Sequence, residues 1–120
     1  MTPILAFDIE TVPDVNGLLY DLPASLPDDE VVLFAQQKRR AQNGSDFMQH
    51  HLHQVVAISC CMRWGQDKIH VGTIGEMHDS EEEMIAKFFD LIESHTPQLV
   101  SWNGGGFDLP VLHYRNAVYQ

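Results

Sequence analysis

Asp8 and Glu10 stand two residues apart at the end of an apolar run, Pro3-Ile4-Leu5-Ala6-Phe7. That run reads as a short buried strand ending in Asp8-Ile9-Glu10-Thr11, with Pro13, Asp14 and Gly17 then breaking regular structure. Successive strand side chains alternate between faces, so both carboxylates leave the same one. The carboxyl ends of strands are also where open α/β sheets place ligand sites. Two carboxylates that close repel each other unless a cation lies between them. Mg²⁺ or Mn²⁺, which prefer oxygen ligands, are the natural neutralisers. An Asp-x-Glu pair alone also fits a solvated strand end before a turn.

A second cluster lies far along the chain, in Leu99-Val100-Ser101-Trp102-Asn103-Gly104-Gly105-Gly106-Phe107-Asp108. An acid there follows a strand and a glycine loop and opens a helix. The three glycines permit positive φ and close approach to another surface. The Asn103 amide is able to bridge loop backbone groups. Asp108 has a purely structural alternative as a helix N-cap.

Phe7-Asp8-Ile9-Glu10-Thr11 resembles motif I of the DEDD 3'–5' exonuclease superfamily. Asn103 through Asp108 resembles its motif II in the Asn-x-x-x-Phe-Asp form. The pattern is most similar to the proofreading domain of family B DNA polymerases and to stand-alone bacterial exonucleases of that type. The resemblance implies an α/β fold, an RNase H-like mixed β-sheet flanked by helices, C-terminally incomplete in this chain. It implies two-metal hydrolysis of terminal phosphodiesters with Mg²⁺ or Mn²⁺, the two ions about 3.5–4 Å apart. Asp8 bridges both metals in that scheme, Glu10 holds the one that activates water, and Asp108 helps to hold the second, partly through water. Thr11 and Phe107 lie near the 3'-terminal nucleotide, and Asn103 shapes the loop. The substrates implied are single-stranded or frayed DNA 3' ends, with RNA left open because no readout of the 2'-hydroxyl is visible.

The family's third motif, a Tyr or His a few residues before a fourth carboxylate, has no counterpart. Residues Leu109 to Gln120 contain neither Asp nor Glu. The expectation is therefore that residues 1–120 are the N-terminal part of a single RNase H-like domain, with an insertion at about 12–54. This chain alone should be weakly active or inactive. Two other readings stay open: a non-catalytic nucleic-acid-binding or assembly module, and another carboxylate–metal hydrolase such as an endonuclease or phosphatase.

Other elements must position these acids. An excursion from Asn16 to Gln54 contains Pro23, Pro27 and Gly44. Within it, the acidic start and Lys38-Arg39-Arg40 end of Asp28 to Gln42 suit a helix dipole. Val55 to Trp64 reads as a long strand, Gly65-Gln66-Asp67 as a turn and Lys68 to Thr73 as the returning strand of a hairpin. Ser80, with Glu83 three residues on, predicts a capping box. Met84, Ile85, Phe88, Phe89 and Ile92 then form an apolar stripe at helical spacing. Thr96-Pro97 ends that helix. Gln98 to Asn103 reads as a further strand, exposed at the sheet edge, and a final helix runs from Phe107 towards Tyr119. Trp102 is placed by this pattern at the end of a buried strand, as a core residue, with stacking on a base as the alternative. His50, His51 and His53 read as a polar approach to the Val55 strand or as substrate contacts.

Composition narrows the function classes. With 44% hydrophobic residues in 120, the chain is globular and long enough for one core. A formal charge of −10 argues against a broad basic groove for nucleic acid, but suits an enzyme that meets phosphate through cations. Adjacent Cys60 and Cys61 point to opposite strand faces, and with no CxxC pair they read as small packed hydrophobes. The first residues lack a signal-peptide pattern and no apolar run reaches the ~18 residues that span a bilayer. The default setting is therefore cytoplasmic, with oligomeric state open.

Overall fold

A computed structural model describes residues 2–18, 26–45 and 47–119. Pro23, part of the expected excursion, lies outside them. Four strands form one mixed sheet: β1 (Ile4–Pro13), β2 (His53–Trp64), β3 (Lys68–Thr73) and β4 (Gln98–Val100), in the spatial order β3-β2-β1-β4. The chain also forms the helices α1 (Val15–Leu18), α2 (Asp28–Asn43), α3 (Glu81–His95) and α4 (Leu109–Val118). β1 pairs antiparallel with β2 and parallel with β4, while β2 and β3 form the hairpin. This is the mixed α/β sheet with flanking helices expected of an RNase H-like fold. Among the described residues, no helix is long and apolar enough to cross a membrane.

Strand alternation sorts the β1 side chains. Leu5, Phe7 and Ile9 are buried on one face, and Ile4, Asp8 and Glu10 are exposed on the other. The buried face meets Met84, Ile85 and Phe88 of α3 and Val111 and Leu112 of α4. Phe7 and Phe88 meet edge to face, with ring centroids 5.1 Å apart. Cys60 packs towards this core, and both cysteines are free. A smaller core under α2 gathers Leu18, Val31 and Ala35.

Helix α3 starts as its sequence predicts. Ser80 accepts from the Glu83 amide at 3.2 Å, and its hydroxyl donates to Glu83 Oε1 at 3.3 Å. Just upstream, Asp79 Oδ2 accepts from Lys87 Nζ at 2.5 Å and from the Glu76 amide at 2.8 Å. Lys87 first, and then that amide, hold the Asp79 carboxyl down to about 2 from an ordinary 3.8. A depressed carboxyl stabilises the fold fully above its unfolded value, and the contribution is lost as pH falls through the folded one. Asp79→Asn should therefore flatten the acid limb of the Tm–pH curve between those two values and leave its shape above pH 5 unchanged.

Two strand boundaries differ from the sequence reading. β1 does not stop near Thr11 but continues through Pro13, because Thr11, Val12 and Pro13 pair with Val55, Gln54 and His53. A bulge between Glu10 and Thr11 makes this continuation possible. β4 is shorter than expected and ends at Val100. Trp102 consequently sits beyond the strand and is fully exposed rather than packed in the core. Trp102→Ala should move thermal stability by no more than about 0.5 kcal/mol, the range of a surface substitution. A loss of 3 kcal/mol or more would mean that the ring is buried after all.

Candidate active site

Asp8 and Glu10 project side by side from the exposed face of the central strand β1. Neither makes a side-chain hydrogen bond or an ion pair with any described residue. The bulge follows Glu10 directly, and bulges beside functional groups serve to re-aim a side chain. Asp8 opens onto a shallow hollow that also includes Ala6, Ser59, Cys61 and Val71.

Asp108 is held differently. Its backbone is already helical (φ −58°, ψ −53°), and its side chain makes no capping bond. The N-cap alternative therefore fails, because a capping residue takes extended dihedrals and accepts from an amide further along the helix. The carboxylate is buried, at 5% exposure, and Oδ2 accepts from the Ser101 hydroxyl at 2.8 Å. Ser101 was not singled out in the sequence. Its position at the end of β4, facing the start of α4 across the glycine loop, was the available signal.

That loop is a π-helical turn, Gly104–Asp108. None of its three glycines takes positive φ, contrary to expectation; among the described glycines only Gly44, Gly65 and Gly75 do. Close approach is the operative reason at two of them. A Cβ on Gly106 would lie 2.6 Å from Asn103 Oδ1, and one on Gly104 would lie 3.0 Å from Ser101 Cβ. Gly105 faces open space. Asn103 shapes the turn, but through its backbone rather than its amide. Its carbonyl accepts from the amides of Gly106, Phe107 and Asp108 at 3.2, 2.9 and 3.4 Å.

Thr11 and Phe107, the chain neighbours of Glu10 and Asp108, meet through His53. Thr11 Oγ1 lies 3.4 Å from His53 Nδ1, and the Phe107 and His53 rings are 5.0 Å apart. His53 Nε2 donates to the Met48 carbonyl at 3.1 Å, which leaves Nδ1 as the acceptor for the Thr11 hydroxyl in the neutral tautomer. Burial, opposed by the Met48 carbonyl and reinforced by His50, lowers the His53 pKa and favours that neutral form.

A buried ion network fixes α4 near the end of β1. Arg115 Nε donates to Glu81 Oε1 and Oε2 at 3.1 and 3.0 Å, and its Nη2 donates to Oε1 at 2.5 Å. Arg115 Nη1 donates to Asp14 Oδ2 and to the His51 carbonyl, each at 2.7 Å. Glu81 also accepts from the Val55 amide and the Tyr119 hydroxyl, both at 2.5 Å. Burial works against the Arg115 charge, but the bonds to Glu81 and Asp14 outweigh it and hold the pKa well above its ordinary value. Sequence reading missed this network. Its one signal was Arg115 itself, four residues after Val111 and three after Leu112, hence on the buried face of α4.

Residues 45–120 match the model of a family described as predicted 3'-5' exonucleases related to the exonuclease domain of PolB. The chain belongs to that family. No match was found among curated proteins or among solved structures. The matched stretch of this PolB-exonuclease-related domain includes the Asn103–Asp108 turn, while Asp8 and Glu10 precede it. Among the described residues, no three His, Cys, Asp or Glu side chains gather as a metal-ligand group. The oxygen-only pair Asp8 and Glu10 nevertheless suits a hard divalent cation, since both carboxylates are exposed and without partners among the described residues. Asp108 is instead engaged by the Ser101 hydroxyl.

Proposed function

We propose that this domain is a Mg²⁺- or Mn²⁺-dependent 3'–5' exonuclease that hydrolyses terminal phosphodiesters of single-stranded or frayed DNA. One observation carries the reading: Asp8 and Glu10 leave the same face of the central strand with no partner among the described residues. Two adjacent unpaired carboxylates repel each other, and a fold retains such a pair where a cation relieves the repulsion. Bound divalent metal would polarise the scissile phosphate and lower the pKa of an attacking water.

The protein's own groups have separate tasks. Asp8 and Glu10 would supply the carboxylate oxygens that hold the cation. Asp108, oriented by the Ser101 hydroxyl, would contribute negative charge that helps to hold a second cation. The Asn103–Asp108 turn and the bulge after Glu10 set where the strand end lies, with Thr11 and Phe107 beside the terminal nucleotide. Residues 109–120 add no further carboxylate. Lack of a fourth acid should keep turnover by residues 1–120 slow, by about 10²–10⁴-fold if that acid assists proton transfer.

The test is incubation of a 5'-labelled single-stranded DNA with the chain in Mn²⁺ and, separately, in EDTA. A metal-dependent ladder shortening from the 3' end is the expected result. Fragments from internal cleavage would instead identify an endonuclease. Tight binding without any cleavage over long incubation would favour the non-catalytic module.

A further inference from the structure

Five aromatic rings from separate parts of the chain gather around the Asn103–Asp108 turn. Phe47 comes from the approach to β2, His50 from the turn just before it, His53 from its first position, Phe107 from the Asn103–Asp108 turn and Tyr114 from α4. Phe107 is the hub, with ring centroids 5.8 Å from Phe47, 5.0 Å from His53 and 6.2 Å from His50. His50 stacks on Tyr114 at 6.2 Å with an interplanar angle of 20°. Phe47 and Tyr114 are both more than half exposed, so core packing does not account for them. Phe47, His50 and Tyr114, together with Arg39, line a cleft of about 440 Å³, a size typical of small-ligand sites. Arg39 Nε donates to the Phe47 carbonyl at 3.4 Å, which places a cation at the rim.

We propose that this cleft is a stacking subsite for an unpaired nucleobase of the strand whose 3' end lies at Asp8 and Glu10, with Arg39 facing the adjoining phosphate. The inference rests on the nuclease reading and deepens it. Three features favour a nucleobase over other planar ligands. The cleft adjoins the motif residues: Phe107, the chain neighbour of Asp108, lies against its Phe47 and His50, and His53 links Phe107 to Thr11, the chain neighbour of Glu10. A net charge of −10 argues against a broad basic groove with which to hold a strand, so stacking is the expected source of much of the affinity. Every base offers a π-face, and a guanidinium beside stacked rings adds a cation–π contribution.

The test measures affinity of the chain for a labelled single-stranded oligonucleotide in Ca²⁺, which restrains cleavage. Phe47→Ala and Tyr114→Ala should each weaken binding roughly 5- to 100-fold, as expected for one lost stacking partner, while Phe47→Trp should retain it. Circular dichroism should show the fold unchanged, since both rings are half in water. An oligonucleotide abasic at its three 3'-terminal positions should bind the unsubstituted chain more weakly and should lose little further on Phe47→Ala. Additive losses, or affinities unchanged by either substitution, overturn the subsite and leave the nuclease reading standing. Failure of the unsubstituted chain to bind the oligonucleotide at all overturns both.

Discussion

Asp8→Asn is expected to reduce metal-dependent 3' shortening by at least about 100-fold, without loss of stability. Even the outer partners of a metal ligand typically account for 10–100-fold in affinity or activity, so removal of a direct ligand should cost no less. The stability half of the expectation comes from the structure. Asp8 is exposed and has no partner among the described residues, so the substitution breaks no contact and removes a like charge beside Glu10. The change in unfolding free energy should stay within about 0.5 kcal/mol, or be slightly favourable. Digestion rates and thermal melts of the two proteins, measured side by side, check both halves. Equal digestion by Asp8→Asn would mean that the activity arises elsewhere. Lost digestion with a collapsed fold would return Asp8 to a structural role. Asp108→Asn is the informative companion, because the amide oxygen still accepts from Ser101 while the charge is gone.

The second large effect concerns stability. Arg115→Ala should destabilise the domain by about 3–5 kcal/mol, the range for breaking a buried ion pair from one side. Glu81 and Asp14 would be left as partly or fully buried carboxylates facing no cation. For a domain of this size the loss corresponds to a fall in Tm of roughly 10 °C or more. Arg115→Lys should restore only part of it, since an ammonium cannot reproduce the forked contact with Glu81 or reach Asp14 and the His51 carbonyl together. The double substitution Glu81→Ala, Arg115→Ala should cost clearly less than the sum of the two singles, because each removes the other's unpaired charge. Arg115→Ala within 1 kcal/mol of the parent would show that the network is replaceable. Its consequence for function is positional: the network ties the end of α4 to the start of α3 and to the turn after β1, and α4 carries Asp108 at its other end.

Local chemistry made much of this protein legible from sequence. The hairpin Val55–Thr73 could be read from a long apolar run, a Gly-containing turn and a return strand. The start of α3 was written in Ser80 and Glu83, and its buried face in Met84, Ile85 and Phe88. These features depend on residues within a few positions of one another, so propensity and periodicity suffice to find them. The carboxylate pattern likewise needed only strand alternation and the glycine turn before Asp108. Tertiary structure decided the rest. Pairing with β2 carried β1 through Pro13, past the point where the local sequence argues for a break. The early end of β4 put Trp102 in solvent, an outcome set by where strand pairing stops and not by the ring's own preference. Asp108 was distinguished from a helix cap only by its dihedrals and its bond from Ser101. The Arg115–Glu81–Asp14 network joins residues 101 and 34 positions apart, and the ring cluster around Phe107 is as non-local. Such contacts form because the sheet and helices bring distant segments together, and no periodicity in the chain encodes them.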